Sequence, residues 1–470
     1  MTAHGTVDNV HTRRIANYVS GITYESVPEE VRERIKLLIL DSLGCGLYGA
    51  QLPWSKILQD TLGKTDTGGN TYVWGTRQRI SSPHAVLING SQVQSFELDD
   101  VHRVGIMHVG AVTLPGLIAV AESHRDMSGK DFLASAVAGY EIGPRVGVCM
   151  TQQHMGQGWH TGATLGVFSS AAASARALKL TSDQTVHALG IAGTQSAGLL
   201  AAQHGAMVKR MHAGRSAQSG FYGAILAESG FTGILDVFES PFGGFCSTFS
   251  GGAHEYDMNA LSGGLGEQFE TMRIALKFYS CVGSNHTTLD AIRDIQKAHP
   301  FTVDDLDKVV VHCSRITLDH VGWPYKPEGL VSAQLNLPFC VATLLLEGDV
   351  FVEQFTPDVV TNKARIALSE RVKVVEDPEI SALGSKHRHK IRVDVHLRDG
   401  SVFTETRESP KGSEFSFAPA EDIVAKFKKL TNHLLPPAQQ SELIDIMLNV
   451  EKAPSARRIA ELLRAPENAK

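Results

Sequence analysis

The stretch "VPEEVRERIKLLILDSLGCGLYGA", Val27 to Ala50, decides how the rest of the chain is read. A proline opens it and acidic residues fill its first turn, so the spacing predicts a helix. Val31, Ile35, Leu38 and Ser42 share one face, and the glycines beyond Asp41 let a neighbour come close. Segments of the same kind recur near 82–98, 111–123, 130–148, 162–178, 182–201 and 215–230, rich in alanine, glycine and serine. Small residues allow close helix contacts, so this part reads as one large, tightly packed, all-helical domain.

Composition changes at "ESPFGGFCSTFSGG", Glu239 to Gly252, which reads as a loop. A helix is expected near 284–298, a strand at "LDKVVVHC", and a single helix over Ser332 to Gly348 despite Pro338. "RVKVVED" and "HKIRVDVHLRDGSVFTETRE" carry strand patterns, the latter with Asp399-Gly400 at a hairpin turn. Helices return in "PAEDIVAKFKKLT" and "QQSELIDIMLNV" and are expected to pack back on the first domain. The expected fold class is therefore mostly α: a large all-helical domain (1–268 with 408–470) plus a smaller α+β domain (269–407).

The chain has 470 residues, a formal net charge of -6, 43% apolar and 20% charged residues. Such a length exceeds one ordinary hydrophobic core, and such a composition is that of a soluble globular protein. With no basic tail or run, nucleic acid is not an expected partner. No segment is long and unbroken enough to span a bilayer, so no membrane partner is expected either. Six scattered cysteines without a CxxC read as reduced and mostly buried, which suits a cytoplasmic protein. The start lacks a secretory signal, although its two arginines leave a mitochondrial reading open.

Four clusters carry candidate chemistry. "SFELDDVHRVGIMHVG", Ser95 to Gly110, offers Asp99, Asp100, His102 and His108, suited to metal binding, proton transfer or helix capping. No tight metal-ligand spacing accompanies them, and no metal is expected. In "HMGQGWHTGATLG", His160 precedes a helix start whose free N–H groups suit a carboxylate, with Trp159 as a wall. A capping histidine with an aromatic neighbour is the plainer reading. "MVKRMHAGRSA" places Lys209 and His212 three apart, hence on one helix face, between segments built for close packing. A buried lysine there would exchange a proton or clamp a carboxylate. "MRIALKFYSCVGSNHTTLDAI" gathers Arg273, Lys277, Tyr279, Cys281 and His286, with Asp290 one turn on and placed to orient the imidazole. A Cys281–His286 nucleophilic pair lacks an activating feature. No glycine-rich segment fits a dinucleotide or phosphate loop, so no cofactor is expected. The residues on hand suit a di- or tricarboxylate substrate beside which a proton moves.

In the order of these clusters the chain resembles the MmgE/PrpD family, which includes 2-methylcitrate dehydratase and cis-aconitate decarboxylase. The matching stretches are "NGSQVQSFELDDVH", "HVGAVTLPGLIA", "GWHTGATLG", "KRMHAG", "KFYSCVGSNHTTLDAI" and "SAQLNLPFCVA", with the N-terminal helix ahead of them. The resemblance implies a helical domain made from both chain ends, an inserted α+β domain, a site in the cleft between them, a homodimer, and no metal or organic cofactor. It places Asp99 and Asp100 at the acidic pair and His108 at the histidine after it. It also places His160, Lys209 and His286 at the family's motif positions. Val101-His102 replaces a threonine common in the family, and Glu97-Leu98 stands where Asp and an aromatic are common. Those departures, with "PWSK" and "YEIGPRVG", resemble the fungal itaconate-forming and alkylcitrate-dehydrating branch. The expected catalytic residues are His108, His160, Lys209 and His286. Asp99, Asp100, His102, His212, Arg273, Lys277 and Tyr279 are the expected substrate contacts. Decarboxylation of cis-aconitate is the preferred reaction, with dehydration of 2-methylcitrate or a longer 2-alkylcitrate close behind. A non-catalytic binding protein and a metal-dependent hydrolase are the rivals from other classes.

Overall fold

A computed structural model of the protein describes residues 10–203, 206–251 and 255–466. Residues 1–9, on which most of the leader reading rests, and Gly252 of the glycine-rich loop lie outside the described residues. The fold is mostly helical with a smaller strand-bearing part, in the class the sequence predicts. The chain divides into two compact units: residues 1–95, 99–275 and 419–470 form one, and 96–98 with 276–418 form the other.

The first unit is helical. Its α1 (Glu29–Gly49) starts after Pro28 and carries Glu29 and Glu30 in its first turn. Val31, Ile35, Leu38 and Ser42 are buried on it, and so are Arg34, Lys36 and Asp41. Against it pack α2 (Ser82–Val93), α3 (Val109–Ala119) and α4 (Gly129–Gly156), and on these and one another pack α5 (Gly166–Ala177), α6 (Ser182–Gly193) and α7 (Val208–Glu228). Every residue of α3 is buried, as a helix apolar all round requires. The C-terminal helix Ala420–Thr431 packs on α1, so both chain ends build this unit.

Close approach between helices is set by small residues. At the α2–α7 crossing, a Cβ added to Gly214 would lie 1.9 Å from the Leu87 carbonyl oxygen. No side chain fits there without moving a helix. Helix α7 starts at Val208, seven residues ahead of the expected 215, so the basic stretch forms its first turns. Lys and Arg are good helix formers, and their charge alone gave no reason to end the helix there.

The second unit holds a four-stranded sheet of β1 (Leu306–Cys313), β2 (Val372–Glu376), β3 (Ile391–Leu397) and β4 (Val402–Arg407). Its order is β2-β1-β3-β4, with β1 and β2 parallel and the other pairs antiparallel. Asp399-Gly400 makes the expected β3–β4 turn, with Gly400 at φ 92°. Helix α8 (Gly283–Ala298) covers β3 and β4. The single helix expected over 332–348 breaks at Asn336, whose side chain accepts from the Phe339 N–H and caps α9 (Leu337–Glu347). Pro338 lacks an N–H and belongs in a first turn, so it starts a helix here rather than interrupting one. Residues 408–418 stay with this unit, where the Leu276 N–H donates to the Gly412 carbonyl at 2.9 Å. No single helix among the described residues is long and apolar enough to cross a membrane.

The crossing at Gly214 is testable. Gly214→Ala is expected to cost about 1–3 kcal/mol, read as a lower urea midpoint. Gly21→Ala, where an added Cβ meets nothing within 4 Å, is the control and keeps the wild-type midpoint.

Candidate active site

The acidic motif follows α2. The short strand Val101–His102 pairs with Ile274–Ala275, and His102 also bridges to Met107, closing a tight loop. Inside it the Gly105 N–H donates to His102 Nδ1 at 2.9 Å, and His102 Nε2 lies 2.9 Å from Glu270 Oε2. An Nδ1 that accepts leaves the proton on Nε2, which then donates to Glu270. Burial would raise the Glu270 carboxyl, but the His102 hydrogen bond and the positive charges of Arg273 and Arg145 outweigh it and leave it lowered. His102 is fully buried with both ring nitrogens engaged by the protein, so it shapes the loop.

Asp100 and Asp99 lie beneath that loop, both fully buried. The Gly110 N–H donates to both Asp100 oxygens, at 3.0 and 3.2 Å. Burial first, and then the neighbouring Asp99 charge, push the Asp100 carboxyl up to about 8, so it is protonated at neutral pH. Gly110 is obligatory here: a Cβ would sit 2.0 Å from Ser42 Oγ of α1. His108, the residue that precedes α3, turns Nδ1 to within 3.0 Å of Asp99 Oδ2. The side chain of His108 keeps 17% of its surface exposed, so a buried carboxylate backs an accessible imidazole. An accessible imidazole that close to a carboxyl group is a candidate proton carrier.

A pair of imidazoles is joined to this loop. The Thr161 hydroxyl donates to the Ile106 carbonyl and ties the acidic loop to the turn that begins after His160. His160 Nδ1 and His212 Nδ1 are 3.1 Å apart. At that distance one nitrogen donates and the other accepts, so the pair holds a proton between its rings. Burial, and then the charge of Lys209, hold His212 below its ordinary value and neutral at pH 7. Lys209 is half-buried in the first turn of α7, one turn before His212. Trp159 packs on Phe249 and His154 (ring centroids 4.9 and 6.4 Å). Arg273, by contrast, is exposed and pairs with Glu270 at 3.3 Å.

The remaining candidates belong to the second unit. Lys277 lies 3.5 Å from Glu97. The expectation that Asp290 orients His286 is corrected by the geometry: Asp290 Oδ1 accepts from the Tyr279 hydroxyl at 2.7 Å, and Oδ2 accepts from the Lys411 N–H at 2.7 Å. His286 Nε2 instead faces the Cys281 carbonyl at 3.1 Å, so it donates there and its tautomer is fixed by backbone. Burial pushes the Cys281 thiol well up, which removes a thiolate nucleophile at neutral pH. Among the described residues no three His, Cys, Asp or Glu side chains converge as a metal site.

Residues 13–257 match the MmgE/PrpD N-terminal domain and residues 279–452 the MmgE/PrpD C-terminal domain. The chain belongs to the MmgE/PrpD family. Similarity to individual members runs nearly end to end. Against the cis-aconitate decarboxylase-like protein oryM of Aspergillus oryzae, identity is 32%, covering 96% of this chain and 97% of the relative. The cis-aconitate decarboxylase of Aspergillus terreus is 31% identical over 97% of this chain and 96% of its own. The 2-methylcitrate dehydratase of Salmonella typhimurium is 23% identical over 93% and 92%.

In this member of the family one charged group near the site escaped the sequence reading. Lys426 of the C-terminal helix is buried and lies 2.6 Å from Asp41 Oδ1 of α1. "VAKFKKLT" resembles a solvated lysine face, yet Ile423, Lys426, Phe427 and Leu430 fall on one helical stripe. That spacing is the signal that identifies Lys426 as an inward residue.

Asp100 offers a test that needs no substrate. A carboxyl raised on folding contributes stability that is full below its unfolded value and lost as pH rises through its folded value. The wild type is therefore expected to lose stability between about 4 and 8 through this group. Asp100→Asn should flatten that part of the curve, read from urea midpoints at pH 5, 7 and 9. Equal curves for the two proteins would refute the protonated Asp100.

Proposed function

We propose that this chain is a lyase that removes carbon dioxide from cis-aconitate to give itaconate, using proton carriers of its own and no cofactor. The observation that carries the proposal is the Asp99–His108 pair, tied through the Thr161–Ile106 hydrogen bond to the loop of the His160–His212 pair. Two proton-carrying imidazole sites with a lysine beside one of them suit a reaction that moves a proton next to carboxylates. Near-full-length similarity to fungal cis-aconitate decarboxylases supports the choice of substrate. The enzyme is proposed to act as a cytoplasmic homodimer.

In this reaction the allylic carboxylate leaves as carbon dioxide, and its electron pair becomes the new carbon–carbon double bond. The electrons of the old double bond move to the far carbon, beside a remaining carboxylate. Negative charge gathers there, where Lys209 is the candidate to stabilise it. One proton then goes to that carbon, and His160, with its partner His212, and His108 are the candidate donors. His286 and Lys277 are proposed as further substrate-facing groups. The second reading, dehydration of 2-methylcitrate or a longer 2-alkylcitrate, is favoured by the Salmonella relative. There, His160 or Lys209 takes the proton beside a carboxylate, and His108 or His286 protonates the departing hydroxyl.

An NMR time course with cis-aconitate, and separately with 2-methylcitrate, decides between them. Itaconate with carbon dioxide is the expected product. An unsaturated tricarboxylate from 2-methylcitrate, with cis-aconitate untouched, moves the answer to dehydration. No turnover of citrate-type ligands that nonetheless bind would favour a binding protein. His160→Gln is expected to lower kcat about 100- to 10,000-fold while thermal stability changes little. Near-full activity of that variant would remove His160 from the mechanism.

A further inference from the structure

Three non-glycine residues among those described have a left-handed backbone, Glu97, Ile106 and Lys179, and Ile106, at φ 49°, is the β-branched one. Glycine or asparagine takes that conformation at little cost, whereas a β-branched side chain crowds its own backbone there. Such strain persists only where the surroundings hold it, and it gathers at functional sites.

What holds Ile106 is a tight hairpin. The His102 N–H donates to the Met107 carbonyl at 2.8 Å, and the Met107 N–H donates back to the His102 carbonyl at 3.2 Å. Between them the Gly105 N–H donates to His102 Nδ1. The hairpin packs on α4, where Gly143 and Gly147 make room one turn apart. A Cβ on Gly143 would lie 2.5 Å from Met107 Cε, and one on Gly147 would lie 2.5 Å from the Gly105 carbonyl oxygen.

Rotation about φ at Ile106 would swing its own carbonyl and the chain that leads to His108, two residues on. That carbonyl accepts from the Thr161 hydroxyl. Thr161 is buried and directly follows His160, whose N–H donates to the Gly198 carbonyl at 3.1 Å. The turn that carries His160 is thus gripped from two sides, by Gly198 and, through Thr161, by the hairpin. Held so, His160 Nδ1 stands 3.1 Å from His212 Nδ1. A hydrogen bond made for stability alone gains nothing from a strained acceptor, because the strain offsets part of what the bond contributes.

We propose that Ile106 and Thr161 are positioning residues: the left-handed turn at Ile106 aims its carbonyl at the Thr161 hydroxyl, and this contact sets His160 against His212. The inference rests on the reading of these imidazoles as proton carriers.

Variants at the two positions test it. Thr161→Val removes the hydroxyl and keeps the shape; kcat is expected to fall about 10- to 100-fold with KM within about threefold of wild type. Thr161→Ser keeps the donor and is expected within about threefold of wild type. Ile106→Gly accepts the same φ and should keep kcat, whereas Ile106→Pro, held at φ about −65°, should lose as much as Thr161→Val. In the Ile106→Pro background Thr161→Val should cost nothing further, because the contact is already gone. A role in stability alone predicts a lower urea midpoint with kcat unchanged in Thr161→Val. That result overturns the proposal, as does a serine variant as poor as valine, an Ile106→Gly that loses kcat, or an Ile106→Pro that keeps it. If Ile106→Pro is insoluble, the two Thr161 variants decide.

A second readout needs no turnover. In 15N-histidine NMR spectra at neutral pH, with His160 and His212 assigned from their glutamine variants, the wild type should show one Nδ1 protonated and the other bare. Thr161→Val should show both rings averaging over tautomers, and Thr161→Ser the wild-type pattern. Averaged rings in the wild type, or an unchanged pattern in Thr161→Val, overturn the proposal. If wild type turns over neither cis-aconitate nor 2-methylcitrate, the functional reading fails and the tautomer series alone decides the inference.

Discussion

The burial of five ionisable groups is the constraint on which the helical unit is built. Arg34 and Asp41 come from α1, Asp99 and Asp100 from the loop before α3, and Lys426 from the C-terminal helix. An unpaired charge in such a place costs several kcal/mol, so these segments hold one another to a single arrangement. Burial lowers the Lys426 ammonium, but Asp41 beside it, with Cys45 and Asp99, outweighs that and holds it raised. Arg34, brought down to about 10 by burial against the pull of Asp41 and Asp100, also donates to the Ile274 carbonyl at 2.7 Å. The strand that carries Ile274 pairs with the acidic loop, so the same guanidinium secures the frame of His102.

Close helix packing makes that burial possible. The polar groups sit under helices rich in glycine, alanine and serine, which bring backbones together. Gly110 shows the coupling of the two demands. It must lack a side chain to let Ser42 approach, and its N–H must reach Asp100. One residue thus fixes both the packing of α3 on α1 and the hydrogen bond of a protonated carboxyl. His108 two residues earlier inherits its position from both.

How much was legible in the sequence differs between the parts. Helices with regular small-residue spacing, the β3–β4 hairpin and the fold class follow from local pattern, because local pattern is what makes those elements. Boundaries failed where a local signal had two readings. The basic residues at the start of α7 read as one helix face yet lie outside the helix expected from 215, and Pro338 inside an apolar run reads as lying within one helix rather than starting a second. In the candidate site, Asp99, Asp100, His108, His160, Lys209 and His212 all lie in the helical unit, with the loops of the two imidazole sites joined at Thr161 and Ile106.

By itself the sequence determined the residue types available for chemistry, their motifs and the helices that carry them, since each depends on neighbours a few positions away. Only the tertiary structure decided what each titratable group faces. His102 meets Glu270, 168 residues distant, and His160 meets His212 across 52. Asp290 is one helical turn from His286 yet serves Tyr279, and a lysine that looks solvated is buried against Asp41. Protonation and hydrogen bonding act over a few ångströms in space, and that distance is unrelated to separation along the chain.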